Sequence, residues 1–216
     1  MTGAQDSTTP SSFDGTTGAN AEDTRGAPAV DMRGVTRYRT MAKMVASMPM
    51  DPDDFAEVLA QHAEFLASGG GGGRWETMIT TADEDAAIVF GVYVGPKTAT
   101  GAQASLAHGR LTGLDLRGVQ LPFADLCGSY GPGQDLTGAN LAGSLLVDSD
   151  FVGANFAGAD LSGADLSRAE LRRCSFRGAN LRGADLEKAD LTGADLRGAD
   201  VMDAKWPKTI MEGVRR

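Results

Sequence analysis

Between residues 104 and 204 one large apolar residue returns at every fifth position. Of the 21 positions from Leu106 to Trp206, 15 are Leu, three are Phe (Phe151, Phe156, Phe176), and Val201, Trp206 and Gly131 complete the set. Two residues before nearly all of them stands a small residue, Ala in 13 of the 21 cases. The residue just before the large one is usually Asp or Asn, and Gly usually follows two after it. A period of five excludes both ordinary elements. Around an α-helix five steps turn about 140° and scatter the leucines over every face. Along a flat strand, alternation sends successive leucines to opposite sides, so half of them face water.

The pattern closes if each five residues form one side of a square coil. The large residue and the small one two before it then point inward, and the chain turns at the Gly. Four sides make a coil of 20 residues, the distance that separates Phe156 from Phe176 and predicts that their rings stack. Coils stack at the inter-strand spacing of ~4.8 Å, so about five of them give a rod roughly 24 Å long. The Ala is small because the narrow interior is already filled from four sides, where overpacking costs about 1–3 kcal/mol per site. Asp or Asn can bond the backbone N–H groups of the corner, and Gly tolerates the φ that a tight turn requires.

Segments such as Ala159-Asp160-Leu161-Ser162-Gly163, Ala164-Asp165-Leu166-Ser167-Arg168 and Ala194-Asp195-Leu196-Arg197-Gly198 resemble the A-(D/N)-L-X-X repeat of the pentapeptide-repeat family. The resemblance implies a mainly β fold, a right-handed quadrilateral parallel β-helix. The core repeat is carried by Leu116, Leu136, Leu141, Phe156, Leu161, Leu166, Leu171, Phe176, Leu181, Leu186, Leu191 and Leu196. Such residues build a core and carry no chemistry, so the motif speaks for fold far more than for function.

The rest of the chain divides by composition. Residues 1–32, rich in Thr, Ser, Gly, Ala and Asp, cannot bury enough surface to offset ordering entropy and are expected to be disordered. Residues 33–68 form a helical segment in two parts. In the first, Val35, Tyr38, Met41, Val45 and Met48 recur at helical spacing among Arg37, Arg39 and Lys43. In the second, Asp51 is the cap, Pro52 the first helical residue, and Phe55, Val58, Leu59, His62, Phe65 and Leu66 the inner face, with Gly69 as the stop. Residues 69–74 read as a glycine linker; its run lacks the Lys-Ser/Thr ending of a phosphate loop. Residues 75–103 hold a strand over 86–94 after an acidic turn at Asp83-Glu84-Asp85, and a cap for the N-terminal end of the rod is their expected role. Residues 205–216 are read as a C-terminal cap or tail.

Within the rod the early coils are irregular. Leu114, Val119 and Gln134 occupy positions that want small residues, and Gly131 stands where a large one is due. Its surroundings, Ser129, Tyr130, Gly131, Pro132, Gly133 and Gln134, have the composition of a loop, so a local bulge is predicted there as the candidate interaction feature, with Tyr130 or Phe151 covering the gap.

The formal net charge of -9 excludes nucleic acid as a direct partner, because phosphate binding needs clustered Lys and Arg. No run approaches the ~20 apolar residues of a membrane span, and no basic-then-apolar leader opens the chain. Cys174 takes an inward slot and Cys127 an outward one on another side, so no disulfide is expected and a reducing cytoplasm follows. No nucleophile has a partner base, His62 and His108 stand in different segments, and the acidic pairs lack the spaced oxygens of a calcium loop. The reading is a non-enzymatic scaffold for protein–protein interaction, without cofactor or metal. The resemblance supplies the alternative, since some members of the family resemble B-form DNA, occupy the DNA site of DNA gyrase, and so protect against quinolones or inhibit the enzyme. Those members dimerise through a C-terminal helix; an end-to-end dimer is open to this chain too, although its tail is short and basic.

Overall fold

The ladder that a period of five demands runs through the whole repeat. The computed structural model describes residues 49–71, 73–79, 89–94 and 103–216, the segments 74–79 and 89–94 through their backbone. In the rod, the residue before a large one forms a parallel bridge to the residue 20 further on, as Asp160 does with Asn180 and Asp165 with Asp185. The Leu161 N–H donates to Asn180 O in the next coil at 2.8 Å, and the Asp160 N–H donates to Ala139 O in the previous coil at 2.8 Å. Each side therefore supplies one bridge and one turn, the turn closed by a bond such as Ala164 N–H to Leu161 O at 3.1 Å. Five residues per side leave no room for a longer strand.

The corner residue sits in the left-handed region, as at Gly163 with φ 63°. Arg168, Arg173 and Lys188 hold the same conformation without being glycine, at φ 61°, 60° and 58°. Such geometry costs an L-residue about 1–2 kcal/mol, so it persists only because the ladder on both sides imposes it.

The large residues converge in one interior. Leu116 and Leu136 are 2% and 1% exposed, Leu141, Phe156, Leu161, Leu166, Leu171, Phe176, Leu181, Leu186 and Leu191 are 0%, and Leu196, near the open end, is 6%. Phe156 and Phe176 stack at 5.1 Å with 5° between their planes, as their spacing predicts. Leu114 and Val119, too large for their slots, are nonetheless buried. They lie where the ladder is weakest: no bridge joins Asp115 to Asp135, and the Gln134 amide spans to Leu114 O at 3.0 Å instead.

Helix α1 (Pro52–Ala67) begins as its sequence dictates, with Asp51 Oδ1 accepting from Asp53 N–H at 2.8 Å and Pro52 in the first turn. It ends at Ser68 and Gly69, the latter at φ 90°. Gly70 belongs to this ending as well. Its N–H donates to Phe65 O, and a Cβ there would stand 2.3 Å from the Phe65 ring. The first two linker glycines are therefore fixed parts of the helix terminus. Beyond them, β1 (Arg74–Ile79) and β2 (Val89–Val94) pair antiparallel from Arg74↔Val94 to Ile79↔Val89. β2 falls inside the strand expected over 86–94, whereas β1 was not foreseen.

Two expectations are corrected. The rod does not bulge at residues 129–134, because Tyr130 bridges both Arg110 and Asp150, and Gly131 N–H donates to Asp150 O at 2.8 Å. The missing side chain is replaced by the ring of Phe151, whose Cε1 lies 2.6 Å from where a Gly131 Cβ would stand. The stretch 205–216 is no separate tail; Lys205, Ile210 and Arg215 bridge to Asp185, Asp190 and Asp195, so the winding continues. At the N-terminal end of the rod, α1 and the residues just before it pack on the first coil; most of 75–103, expected to cap that end, lies outside the described residues. Met50 N–H donates to Arg110 O at 3.1 Å, Phe55 joins the core, and Val58 and Leu59 pack against it. The tail over 1–32, the amphipathic stretch up to Met48 and the acidic turn at 83–85 lie outside the described residues.

Candidate interaction surface

With its interior filled, the rod meets its surroundings only through outward positions. The carboxylate before each leucine is used first by its own corner. Asp160 Oδ1 accepts from Ser162 N–H, Asp165 Oδ1 from Ser167 N–H and Asp185 Oδ1 from Glu187 N–H, each at 3.0 Å. Asn serves equally: Asn180 Oδ1 accepts from Arg182 N–H at 3.2 Å while its amide donates down the stack to Asp160 at 2.9 Å. These local bonds are why Asp and Asn dominate this position.

Basic side chains take up many of the remaining carboxylate oxygens. Arg168 forks onto Asp148 at 2.8 and 2.9 Å, Arg182 reaches Asp200 at 3.2 Å, and Lys205 reaches Asp185 at 3.2 Å. Asp195 is held by three arginines, Arg197 at 2.7 Å, Arg215 at 3.5 Å and Arg177 at 3.6 Å. The Arg197 guanidinium beside it holds its carboxyl far below the usual range. Arg117 brings the Asp115 carboxyl down to about 2 in the same way. Exposed pairs of this kind contribute ~0–1 kcal/mol each to stability, but they remove free negative charge from the surface.

One side departs from this pattern. Around the inward Leu126 and Leu146 stand Cys127, Leu145 and Val147, outward by alternation and yet 5%, 0% and 1% exposed. They form an apolar cluster of their own, apart from the interior, with Ala107 packed against it. Burial pushes the carboxyls of Asp125, Asp148 and Asp165 up, and the Cys127 thiol up to about 12. Sequence reasoning missed this patch, although apolar Leu145 and Val147 in positions that usually carry polar residues were the available signal.

The hexapeptide nominated from composition offers a flush surface. Ser129 is fully buried in an inward small slot, and Gly131, Gly133 and Gln134 follow the coil. Tyr130 faces out beneath the Arg110 guanidinium, whose carbon lies 5.5 Å from the ring centre. Neither Cys127 nor Cys174 is in a disulfide, and the Cys174 thiol donates to Phe151 O at 2.9 Å. Among the described residues no cluster of His, Cys, Asp and Glu has the makings of a metal site, and no helix is long and apolar enough to cross a membrane.

His62 is the point where α1 is fastened to the rod. Its Nδ1 accepts from Ala104 N–H at 3.0 Å, so Nε2 carries the proton and donates to Pro122 O at 3.0 Å. The Ala104 bond needs the neutral ring, because a protonated Nδ1 cannot accept, whereas the Pro122 bond survives protonation. Burial lowers the pKa more than the Pro122 bond raises it. A lowered folded pKa means that the contribution is complete above the ordinary histidine value of about 6.5 and fades as the pH drops below it. Amide protection of α1 should therefore fall between about pH 7 and pH 5. His62→Ala should lower stability at pH 7 by about 1–3 kcal/mol, leaving Ala104 N–H unpaired, and should abolish that pH dependence; an α1 whose protection falls identically with pH in both proteins would refute the assignment.

A coil of four sides, one bridge per side and a leucine floor defines a quadrilateral solenoid. Its repeats carry the signature of a known family: the model for pentapeptide repeats matches eight copies, over residues 135–173 and 169–205, and the chain belongs to that family. No curated protein matches the sequence. Among solved structures the chain is similar to a pentapeptide repeat protein from the thylakoid lumen of Arabidopsis thaliana, at 34% identity over 42% of this chain and 67% of that one, with a TM-score of 0.28. A pentapeptide repeat protein of the cyanobacterium Cyanothece 51142 aligns at 28% identity over 45% and 59%, with a TM-score of 0.24. QnrB1, a plasmid-mediated fluoroquinolone resistance protein, aligns at 18% identity over 53% and 65%, with a TM-score of 0.34. The chain thus spans about two thirds of these proteins' length or less.

Proposed function

We propose that this chain is a non-enzymatic scaffold that binds a protein through the outer surface of its coil. Right-handed winding in about five coils, which the family resemblance implies, belongs to the same reading. The observation that carries it is the filled interior: every in-register residue from Leu106 to Leu196 other than Gly131 is at most 6% exposed, and the Gly131 slot is taken by Phe151. A rod without an internal cavity presents only an outside. Two buried cysteines outside any disulfide support a cytoplasmic setting.

The alternative, a DNA-mimicking binder of DNA gyrase or another topoisomerase, draws on the net charge of -9 and on the resemblance. It needs a run of free carboxylates at phosphate-like spacing, and here Asp148, Asp185, Asp190, Asp195 and Asp200 are paired with Arg or Lys. Supercoiling by purified gyrase separates the two. We expect the full chain at micromolar concentration to leave the reaction unchanged; inhibition that disappears at high salt would establish the mimic and overturn the scaffold reading.

A further inference from the structure

The outward patch of Cys127, Leu145 and Val147 calls for an occupant. Other residues in the position of Leu145, such as Asn140, Asp150 and Asp160, remain partly exposed, and Asp195, at 4%, lies under the three arginines that pair with it, while the apolar Leu145 is at 0%. Something outside the coil therefore lies over it.

We propose that this patch is a docking strip for the chain's own β1–β2 hairpin, which reserves that side of the rod. The tether is the first argument. Gly71, just before the hairpin, lies against the Phe123 ring, with 3.4 Å between that ring and an added Cβ. Gln103, just after it, bonds Phe123 O through its side-chain amide. Both ends of the stretch 72–102 thus leave from one residue. Phe123 also lies over Gly143, within 2.7 Å of a Cβ placed there, so the anchor spans the corner from which the chain enters Cys127 in one coil and Leu145 in the next.

Need is the second argument. A two-stranded hairpin is at best marginally stable in water and has to lay a face on something. Trp75, Met78 and Ile79 in β1 and Val89, Phe90, Val92, Tyr93 and Val94 in β2 make the hairpin the most apolar stretch between 72 and 102, and so a suitable cover for the strip. Strands of six residues extend ~20 Å, whereas the three rungs at 107, 127 and 147 span ~10 Å. The hairpin is long enough. Any partner that binds this side must displace it, a consequence independent of which partner the scaffold serves.

Hydrogen exchange and thiol alkylation on the full chain test the assignment. Leu145→Asp should speed exchange of the amides of 74–79 and 89–94 at least about tenfold, while Leu161, Leu166 and Leu181 keep their protection. Val92→Pro breaks the β1–β2 pairing without touching the coil. It should raise iodoacetamide labelling of Cys127 by a similar factor, with Cys174 inside the rod remaining unlabelled. Cys127 still protected in Val92→Pro, or hairpin exchange unchanged in Leu145→Asp, would overturn the proposal and assign the cover to another segment.

Discussion

Phe156→Ala should remove about 3–5 kcal/mol of stability, the largest loss we expect from a single substitution in this chain. The ring is wholly buried, stacks on Phe176 at 5.1 Å and meets the edge of Phe151 at 5.5 Å. It is thus held by its own coil and by the next. A solenoid makes contact only between neighbouring coils, so a void at one level weakens the interface above it as well as the level itself. A domain of ordinary stability has about 5–15 kcal/mol in all, so the variant should lie close to its threshold for folding. The comparison that isolates the cause is Val201→Ala. Val201 holds the same place in the repeat but is 39% exposed on the last coil, and its truncation should cost under about 1 kcal/mol. Urea denaturation of both variants reads the difference. A Phe156→Ala midpoint within error of the Val201→Ala midpoint would show that the interior is not packed as described.

Much of this architecture is legible in the sequence because one constraint, the inward leucine, repeats without loss of register. The same periodicity places the Phe156–Phe176 stack, the buried Ala slots and the corner bonds made by Asp160 and Asp165. What it misjudges are places where a neighbour alters the meaning of a residue. Gly131 reads as loop because Gly and Pro are judged locally, whereas the ring that replaces its side chain comes from Phe151, one coil later. Residues 205–216 read as a tail because Lys205, Pro207 and Lys208 break the composition of the repeat, yet the backbone of the preceding coil offers the same donors and acceptors whatever side chains follow. Trp206 and Met211 simply continue the large positions, half-buried because nothing among the described residues stacks above them. The sequence places His62 on the inner face of its helix, but the two bonds to Ala104 and Pro122 depend on where the rod begins in space. The apolar patch at Leu145 lies in outward positions, about which the inward register says nothing.

Gly131 and Phe151 should behave as one packing unit, which gives the second large effect. By register a leucine belongs at 131, so a reading of the repeat alone predicts that Gly131→Leu is stabilising. The structure predicts the opposite. A Cβ at 131 would stand 2.6 Å from Phe151 Cε1 and 3.0 Å from Cδ1, and the fully buried ring has no free space into which to retreat. Overpacking of this kind costs about 1–3 kcal/mol. Phe151→Leu alone should also destabilise, by leaving the slot beside Gly131 partly empty. Together the two changes place a leucine at both levels, as at Leu121 and Leu141 elsewhere in the same coils, and the double variant should be more stable than the sum of the single losses by at least about 1 kcal/mol. No positive φ stands in the way, since Gly131 is not among the corner glycines held in the left-handed region. Denaturant titrations of the four proteins measure the coupling directly. Strict additivity would mean that the ring does not occupy the missing leucine's place, and the smooth passage of the coil through 129–134 would then need another cause.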